Sequence, residues 1–181
     1  MARVSLLGLL VLGACATRPH DAGKRREQVI ELAGQIRQKY PSTADGEIHT
    51  FAETAVETAA VKRREWNVNY SAWVHNMLVN HGRRPRGLCY EWQNTMYFAL
   101  EKVVPAGLKL TLIEAYRGSA MREHHALSLH SVADRWDDGI LLDAWREGGN
   151  LIFKPVAEAD EPWKYEAEEP YAEGDRPLVR P

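Results

Sequence analysis

The chain contains two cysteines, and one of them, Cys89, lies well inside the sequence. Three histidines follow it at His124, His125 and His130, and Asp143 comes after them. A thiol attacks a carbonyl carbon as the thiolate, and an adjacent imidazole held by a carboxylate favours that ion. A cysteine, a histidine and an aspartate in this order could therefore act as nucleophile, general base and orienting group.

The three histidines are alternatives for the base, and we assign the role to His125 ahead of His124 and His130. Neighbouring residues of a strand point to opposite faces, so His124 and His125 cannot both face one cleft. A tight turn at residues 137–139 would leave Asp143 roughly 26 Å along the strand from His125. The triad therefore requires a wide loop between the two strands, a bulge, or a different histidine.

The elements that position these residues follow from apolar periodicity. Helical spacing predicts three helices before residue 83 and a fourth that begins at Cys89 and ends before Pro105. Period-two alternation then predicts strands at about residues 108–113, 126–132 and 140–144. Helices followed by an antiparallel sheet make an α+β architecture, with Cys89 at a helix N-terminus where the helix dipole favours a thiolate.

The first residues have the pattern of a secretion signal. Arg3 precedes a short apolar run that ends in Leu12-Gly13-Ala14-Cys15, too short to span a bilayer. This ending resembles a bacterial lipobox, which implies cleavage before Cys15 and lipidation of that cysteine. Ala16 follows instead of aspartate, as in lipoproteins sent to the outer membrane. The alternative is an ordinary signal peptide with an incidental cysteine.

These patterns divide the chain into a signal peptide (1–14), a tether (15–24), one globular domain (25–154) and a tail (155–181). The tail is rich in proline and acidic residues and is predicted to be extended or partly disordered. The alternative is that part of it packs on the body through Trp163, Tyr165 and Tyr171, and a solvated tail is favoured over this. A formal net charge of −2 argues against a nucleic-acid-binding protein. Adjacent histidines lack the helical spacing of metalloprotease ligands, so we expect no metal and no cofactor.

Residues 70–150 resemble the superfamily of papain-like and transglutaminase-like cysteine enzymes. Gly87-Leu88-Cys89-Tyr90 is similar to the start of their catalytic helix, and His125-Ala126-Leu127 is similar to their histidine strand. Leu142-Asp143-Ala144-Trp145 resembles the strand end that carries their third catalytic group. The resemblance implies a triad of Cys89, His125 and Asp143 that works through a thioester, with Trp145 shielding the imidazole–carboxylate hydrogen bond.

The resemblance favours the transglutaminase-like branch, although Leu127 stands where transglutaminases often carry tryptophan. Hydrolysis of an amide is therefore favoured over transfer to an amine. An enzyme tethered through Cys15 at the periplasmic side of the outer membrane would act on peptides, proteins or cell-wall peptide stems. The rival hypothesis is an inactive lipoprotein that retains this fold as a binding or assembly module.

Overall fold

The computed structural model describes residues 17–119 and 122–170. Within these residues four helices precede a five-stranded antiparallel sheet, so the predicted α+β class is confirmed. The helices are α1 (Ala22–Lys39), α2 (Asp45–Glu65), α3 (Ala72–Asn80) and α4 (Cys89–Leu100). The strands are β1 (Leu108–Ala115), β2 (His124–Ser131), β3 (Ile140–Asp143), β4 (Ile152–Pro155) and β5 (Lys164–Ala167).

The long helices α1 and α2 form because each carries a continuous apolar stripe. Val29, Leu32 and Ile36 are the buried stripe of α1, and the Asp21 side chain caps its first turn by accepting from the Lys24 N–H. Pro41 follows Tyr40, which ends the helix. The buried side of α2 packs against α1 and α4, so the helices share one core with the sheet. That core fixes where α4 begins.

The backbone of residues 86–88, which precede α4, is held in one conformation by its contacts. Gly87 has φ +125°, and a Cβ there would lie 2.4 Å from Nε2 of the buried His75, so only glycine fits. His75 donates from Nε2 to the Arg86 carbonyl oxygen at 2.8 Å. The carboxylate of Glu91 reaches back to accept from the backbone N–H groups of Gly87 and Leu88. These contacts set the start of the helix at Cys89.

The sheet has the strand order β4-β3-β2-β1-β5, and every neighbouring pair is antiparallel. Leu127 of β2 lies opposite Leu112 of β1 and Leu142 of β3, and all three side chains face the helices. The alternate residues form a second apolar layer on the other face with Trp163. Residues 132–139 form a wide loop between β2 and β3, one of the solutions that the sequence required.

Two segments that flank the predicted domain are ordered where the structure describes them. Residues 155–170 are not a solvated tail, because a 3₁₀ turn and β5 pack them onto the body and Trp163 is buried. The predicted tether is also ordered from Thr17 onward: the Thr17 N–H donates to the Asn69 carbonyl oxygen, and Arg63 donates to Thr17. Both segments have a polar composition typical of disordered chain, but their residues form hydrogen bonds with the body that order them.

The lipobox residue Cys15 and residues 171–181 of the predicted tail lie outside the described residues. Among the helices that the structure describes, none combines the length and apolar character needed to cross a bilayer.

Candidate functional site

Cys89 is the first residue of α4 and is buried, with 8 % of its surface exposed. Its thiol donates to the carbonyl oxygen of Glu123 at 3.7 Å. The helix dipole favours negative charge at this position. The N-terminus of α4 therefore supplies the first of the two conditions that sequence analysis sets for a reactive thiol.

The sulfur lies beside the peptide group that joins Glu123 to His124. A carbonyl oxygen and the next Cα are about 2.8 Å apart across a trans peptide, which places the Cys89 sulfur within about 6.5 Å of the His124 Cα. The thiol and the start of β2 are therefore close neighbours, although α4 and β2 belong to distant parts of the sequence.

Asp143 is paired with His124, the residue that sequence analysis treats as an alternative base. Nε2 of His124 donates to Oδ2 of Asp143 at 2.8 Å, and both side chains are buried. The other carboxylate oxygen, Oδ1, accepts from the backbone N–H groups of Trp145 and Arg146 at 2.9 and 3.1 Å. Burial by itself raises the pKa of Asp143, but His124 and the Arg146 N–H outweigh it and hold that pKa below its usual range.

The sheet register explains this pairing. Leu127 lies opposite Leu142, so Asp143 falls on the same face as His124 and is its diagonal neighbour, while His125 points to the other face. The predicted pairing of Asp143 with His125 is thus not what the register allows. A wide loop and a different histidine together replace the expected arrangement.

Two tryptophans enclose the His124 ring. The ring centroid lies 4.6 Å from that of Trp145 and 5.0 Å from that of Trp163. The Trp145 indole N–H donates to Asn76 Oδ1 of α3 at 2.9 Å, and its ring meets Trp73 edge to face. Trp145 therefore covers the imidazole next to its carboxylate, in the position in which the sequence predicts a shielding residue.

The ring nitrogens of His124 suit a general base. Because Nε2 donates its proton to Asp143, the neutral ring carries a lone pair on Nδ1. Nδ1 is buried and has no hydrogen-bond partner among the described residues. A lone pair of this kind is available to accept a thiol proton.

His125 has a different environment, in which both ring nitrogens meet carboxylates. Nδ1 lies 2.9 Å from Oε2 of Glu166 on β5, and Nε2 lies 3.0 Å from Oε1 of Glu123. Gln93 of α4 donates to the same Glu166 oxygen at 2.9 Å. Glu114 of β1 is buried nearby; burial raises its pKa, Arg117 opposes the rise, and Glu166 adds to it. Both ring nitrogens of His125 therefore face carboxylate oxygens, and neither is directed at an unoccupied position.

His130 is engaged elsewhere. Nδ1 donates to the Ser131 carbonyl oxygen at 2.9 Å, and Nε2 accepts from the Thr111 hydroxyl at 2.8 Å. His130 lies six residues beyond His124, or roughly 20 Å along the strand. The structure therefore places it far from the Cys89 thiol.

Glu166 and Glu114 are neighbours of His125 that the sequence did not indicate, and Trp163 was indicated only as a residue through which the tail could pack on the body. Pairing of β5 with β1 brings Trp163 and Glu166 to the sheet. Glu114 did carry a signal, because it continues the alternation of Leu108, Leu110 and Leu112 toward the apolar face. A carboxylate at an inward strand position indicates a buried polar partner.

No protein-family model, no curated protein and no solved structure matches this chain.

Proposed function

We propose that the chain is a thiol-dependent amide hydrolase or acyltransferase with the catalytic arrangement of the papain-like and transglutaminase-like enzymes. Cys89 attacks the substrate carbonyl carbon, His124 takes the thiol proton and returns it to the leaving amine, and Asp143 fixes the tautomer of His124. A thioester on Cys89 is then released by water or by an amine. Water is the favoured acceptor, because it is the default acceptor for a thioester.

Two observations support the proposal: buried His124 donates to Asp143 and has no partner for Nδ1 among the described residues, and the Cys89 sulfur contacts the carbonyl oxygen of Glu123, the residue before His124. His124 and Asp143 lie on the face of the sheet that carries Trp163, so proton transfer requires Nδ1 to reach the sulfur around the start of β2. An imidazole in this state is poised to accept a proton. His125 was the first candidate for the base from sequence, and its two carboxylate partners favour His124 instead.

The experiment is the pH dependence of alkylation of Cys89 by iodoacetamide, followed by mass spectrometry of the Cys89 peptide in the purified full chain. We expect rapid labelling below pH 7 that His124→Ala moves toward the titration of an ordinary thiol, near pH 8.5. His49→Ala, which changes an exposed histidine on α2, is the matched control and should leave the profile unchanged.

Two results would redirect the proposal. If only His125→Ala shifts the profile, the base is His125 and the assignment to His124 fails while the thiol chemistry stands. If wild-type Cys89 labels slowly with an ordinary titration and neither histidine matters, the enzyme proposal fails. A positive result justifies assay of peptide amides and cell-wall peptide stems, with Cys89→Ser as the inactive reference.

The rival function, a binding or assembly module without activity, is favoured by a specific observation. Cys89 is nearly buried and His124 is 1 % exposed, so a substrate carbonyl reaches the sulfur only if the covering side chains move. A module of this kind would show neither an activated thiol nor a thioester with any acyl donor, and the alkylation profile therefore separates the two functions.

The location that we propose is the bacterial cell envelope, with the lipidated Cys15 anchoring the chain to the outer membrane on its periplasmic side. Thr17 is hydrogen-bonded to the body and lies two residues after Cys15. A lipid on Cys15 would therefore hold the domain close to the membrane, since two residues span at most about 7 Å. Mass spectrometry of the N-terminal peptide tests this: a diacylated or triacylated Cys15, lost in Cys15→Ser, supports the anchor. An unmodified Cys15, or cleavage at another bond, would refute it.

A further inference from the structure

The second buried histidine lies in a cluster that the proposed thiol chemistry does not use. Glu114, His125 and Glu166 come from β1, β2 and β5, and each offers one ligand atom such that all three atoms lie within 4.8 Å of one another. The side chains of His125 and Glu166 are only 1 % and 2 % exposed. We propose that these three residues bind a divalent first-row transition metal ion, such as Zn²⁺ or Mn²⁺.

The tautomer of His125 is the first argument. Nε2 of His125 lies 3.0 Å from the Glu123 carboxylate, and a proton on Nε2 is donated there. Nδ1 then presents a lone pair toward Oε2 of Glu166, which is also an acceptor, at 2.9 Å. Two acceptors at that distance need a proton, carried by the ring or by the carboxyl group, or a metal ion between them.

The position of Glu123 favours a metal ion. Metal-binding histidines commonly donate their other ring N–H to a carboxylate, which fixes the ring and raises the basicity of the ligating nitrogen. Glu123 has that place relative to His125. Gln93, buried on α4, donates to the Glu166 oxygen and orients the second ligand in the same way.

The distances agree with a single ion. Donor atoms bound at about 2.0–2.2 Å lie at most about 4.4 Å apart, and neighbouring donors lie about 3 Å apart. The 2.9 Å between His125 and Glu166 already has this value, and all three donor atoms lie within 4.8 Å of one another. Arg117 holds one oxygen of Glu114 at 2.7 Å, and the carboxylate has a second oxygen for the metal.

One imidazole and two carboxylates suit borderline first-row ions better than calcium or magnesium, which prefer oxygen ligands alone. The remaining coordination positions would be filled by water. A bound ion would also connect β5 to β1 and β2.

The test is titration of the metal-free full-length protein with Zn²⁺ and with Mn²⁺ by calorimetry, together with thermal unfolding in the presence and absence of EDTA. We expect one ion per chain and a higher Tm with the ion bound. Glu166→Gln and Glu114→Gln should abolish stoichiometric binding, and Glu123→Gln should weaken it about 10–100-fold. Glu168→Gln, which removes an exposed carboxylate next to β5, is the matched control and should bind as the wild type does.

Cys89→Ser separates this site from the thiol and should retain the ion. Absence of stoichiometric binding by the wild-type chain would overturn the proposal and leave His125 as a protonated ion-pair partner. Binding that survives Glu166→Gln and Glu114→Gln would place the ion elsewhere, which also overturns it. Because the wild-type titration decides the first outcome, the test does not depend on variants that fail to fold.

Discussion

Replacement of Asp143 by asparagine tests how the site sets the protonation of His124. Asparagine has the same shape, and its carbonyl oxygen can still accept from the Trp145 and Arg146 N–H groups as Oδ1 does now. Its NH₂ group then faces Nε2 of His124, where the carboxylate was. A donor facing Nε2 stabilises the opposite tautomer, with the proton on Nδ1, so the lone pair proposed to activate Cys89 is lost.

The size of the effect follows from thiol chemistry. At pH 6 a thiol with a pKa of about 5 is about 90 % ionised, and an ordinary thiol with a pKa of about 8.5 is about 0.3 % ionised. The intrinsic reactivity of the less acidic thiolate is about 40-fold higher, from a Brønsted slope of about 0.45 over that difference. The net expectation is labelling about tenfold slower than wild type at pH 6 and faster than wild type at pH 9.

Crossing pH–rate profiles are therefore the expected result for Asp143→Asn in the iodoacetamide assay. Loss of one charge-assisted hydrogen bond should lower the free energy of unfolding by about 1.5–3 kcal/mol, measured by urea titration. The control is Asp137→Asn, at an exposed carboxylate that pairs with Arg135 in the loop between β2 and β3. It should change the free energy of unfolding by less than about 1 kcal/mol. Profiles that superimpose with wild type would refute the role given to Asp143.

Three further predictions concern stability. Gly87→Ala should lower the free energy of unfolding by at least about 2 kcal/mol, because φ is +125° and the new Cβ would collide with His75. Its control is Gly34→Ala in α1, where nothing lies within 4 Å of the new Cβ and the free energy of unfolding should rise by about 0.5–1 kcal/mol. Burial raises the pKa of Tyr40 to about 12, so the stability that the neutral phenol contributes is present below about pH 10 and is lost as the pH rises to about 12. In urea titrations at alkaline pH, Tyr40→Phe should therefore make the free energy of unfolding less dependent on pH. The pKa of Asp143 is lowered in the fold, so the stability that its carboxylate contributes is present above about pH 4 and is lost as the pH falls through the folded-state pKa. Plots of the free energy of unfolding against pH for wild type and Asp143→Asn should therefore converge in acid. Plots that stay parallel would contradict the lowered pKa.

The helices were predictable because their signals are local. The stripe in α1 and the break at Pro41 depend on residues within one or two turns, and the start of α4 at Cys89 agrees with the prediction. The three central strands were predictable from alternation for the same reason. Their lengths differ from the prediction by a few residues, as is usual for element ends.

The partner of Asp143 was not predictable, because it depends on the length of the loop between β2 and β3. A shift of the register by one residue exchanges the faces of His124 and His125, and the sequence contains no local signal for the register across an irregular eight-residue connection. The packing of β5 was missed for a related reason. Its residues are charged and flanked by proline, and they are ordered only through partners such as His125 and Gln93 on distant elements.

The two adjacent histidines show how strand geometry separates two kinds of chemistry in one dipeptide. The pleat directs His124 to Asp143, where one ring nitrogen stays free, and His125 to Glu123 and Glu166, where both nitrogens are engaged. A free nitrogen suits proton transfer, whereas a ring fixed by carboxylates suits an ion-binding role. Both environments depend on the segment around β5, since Trp163 covers one ring and Glu166 holds the other. The short edge strand that composition assigns to a solvated tail is therefore a part of the fold on which both proposed sites rely.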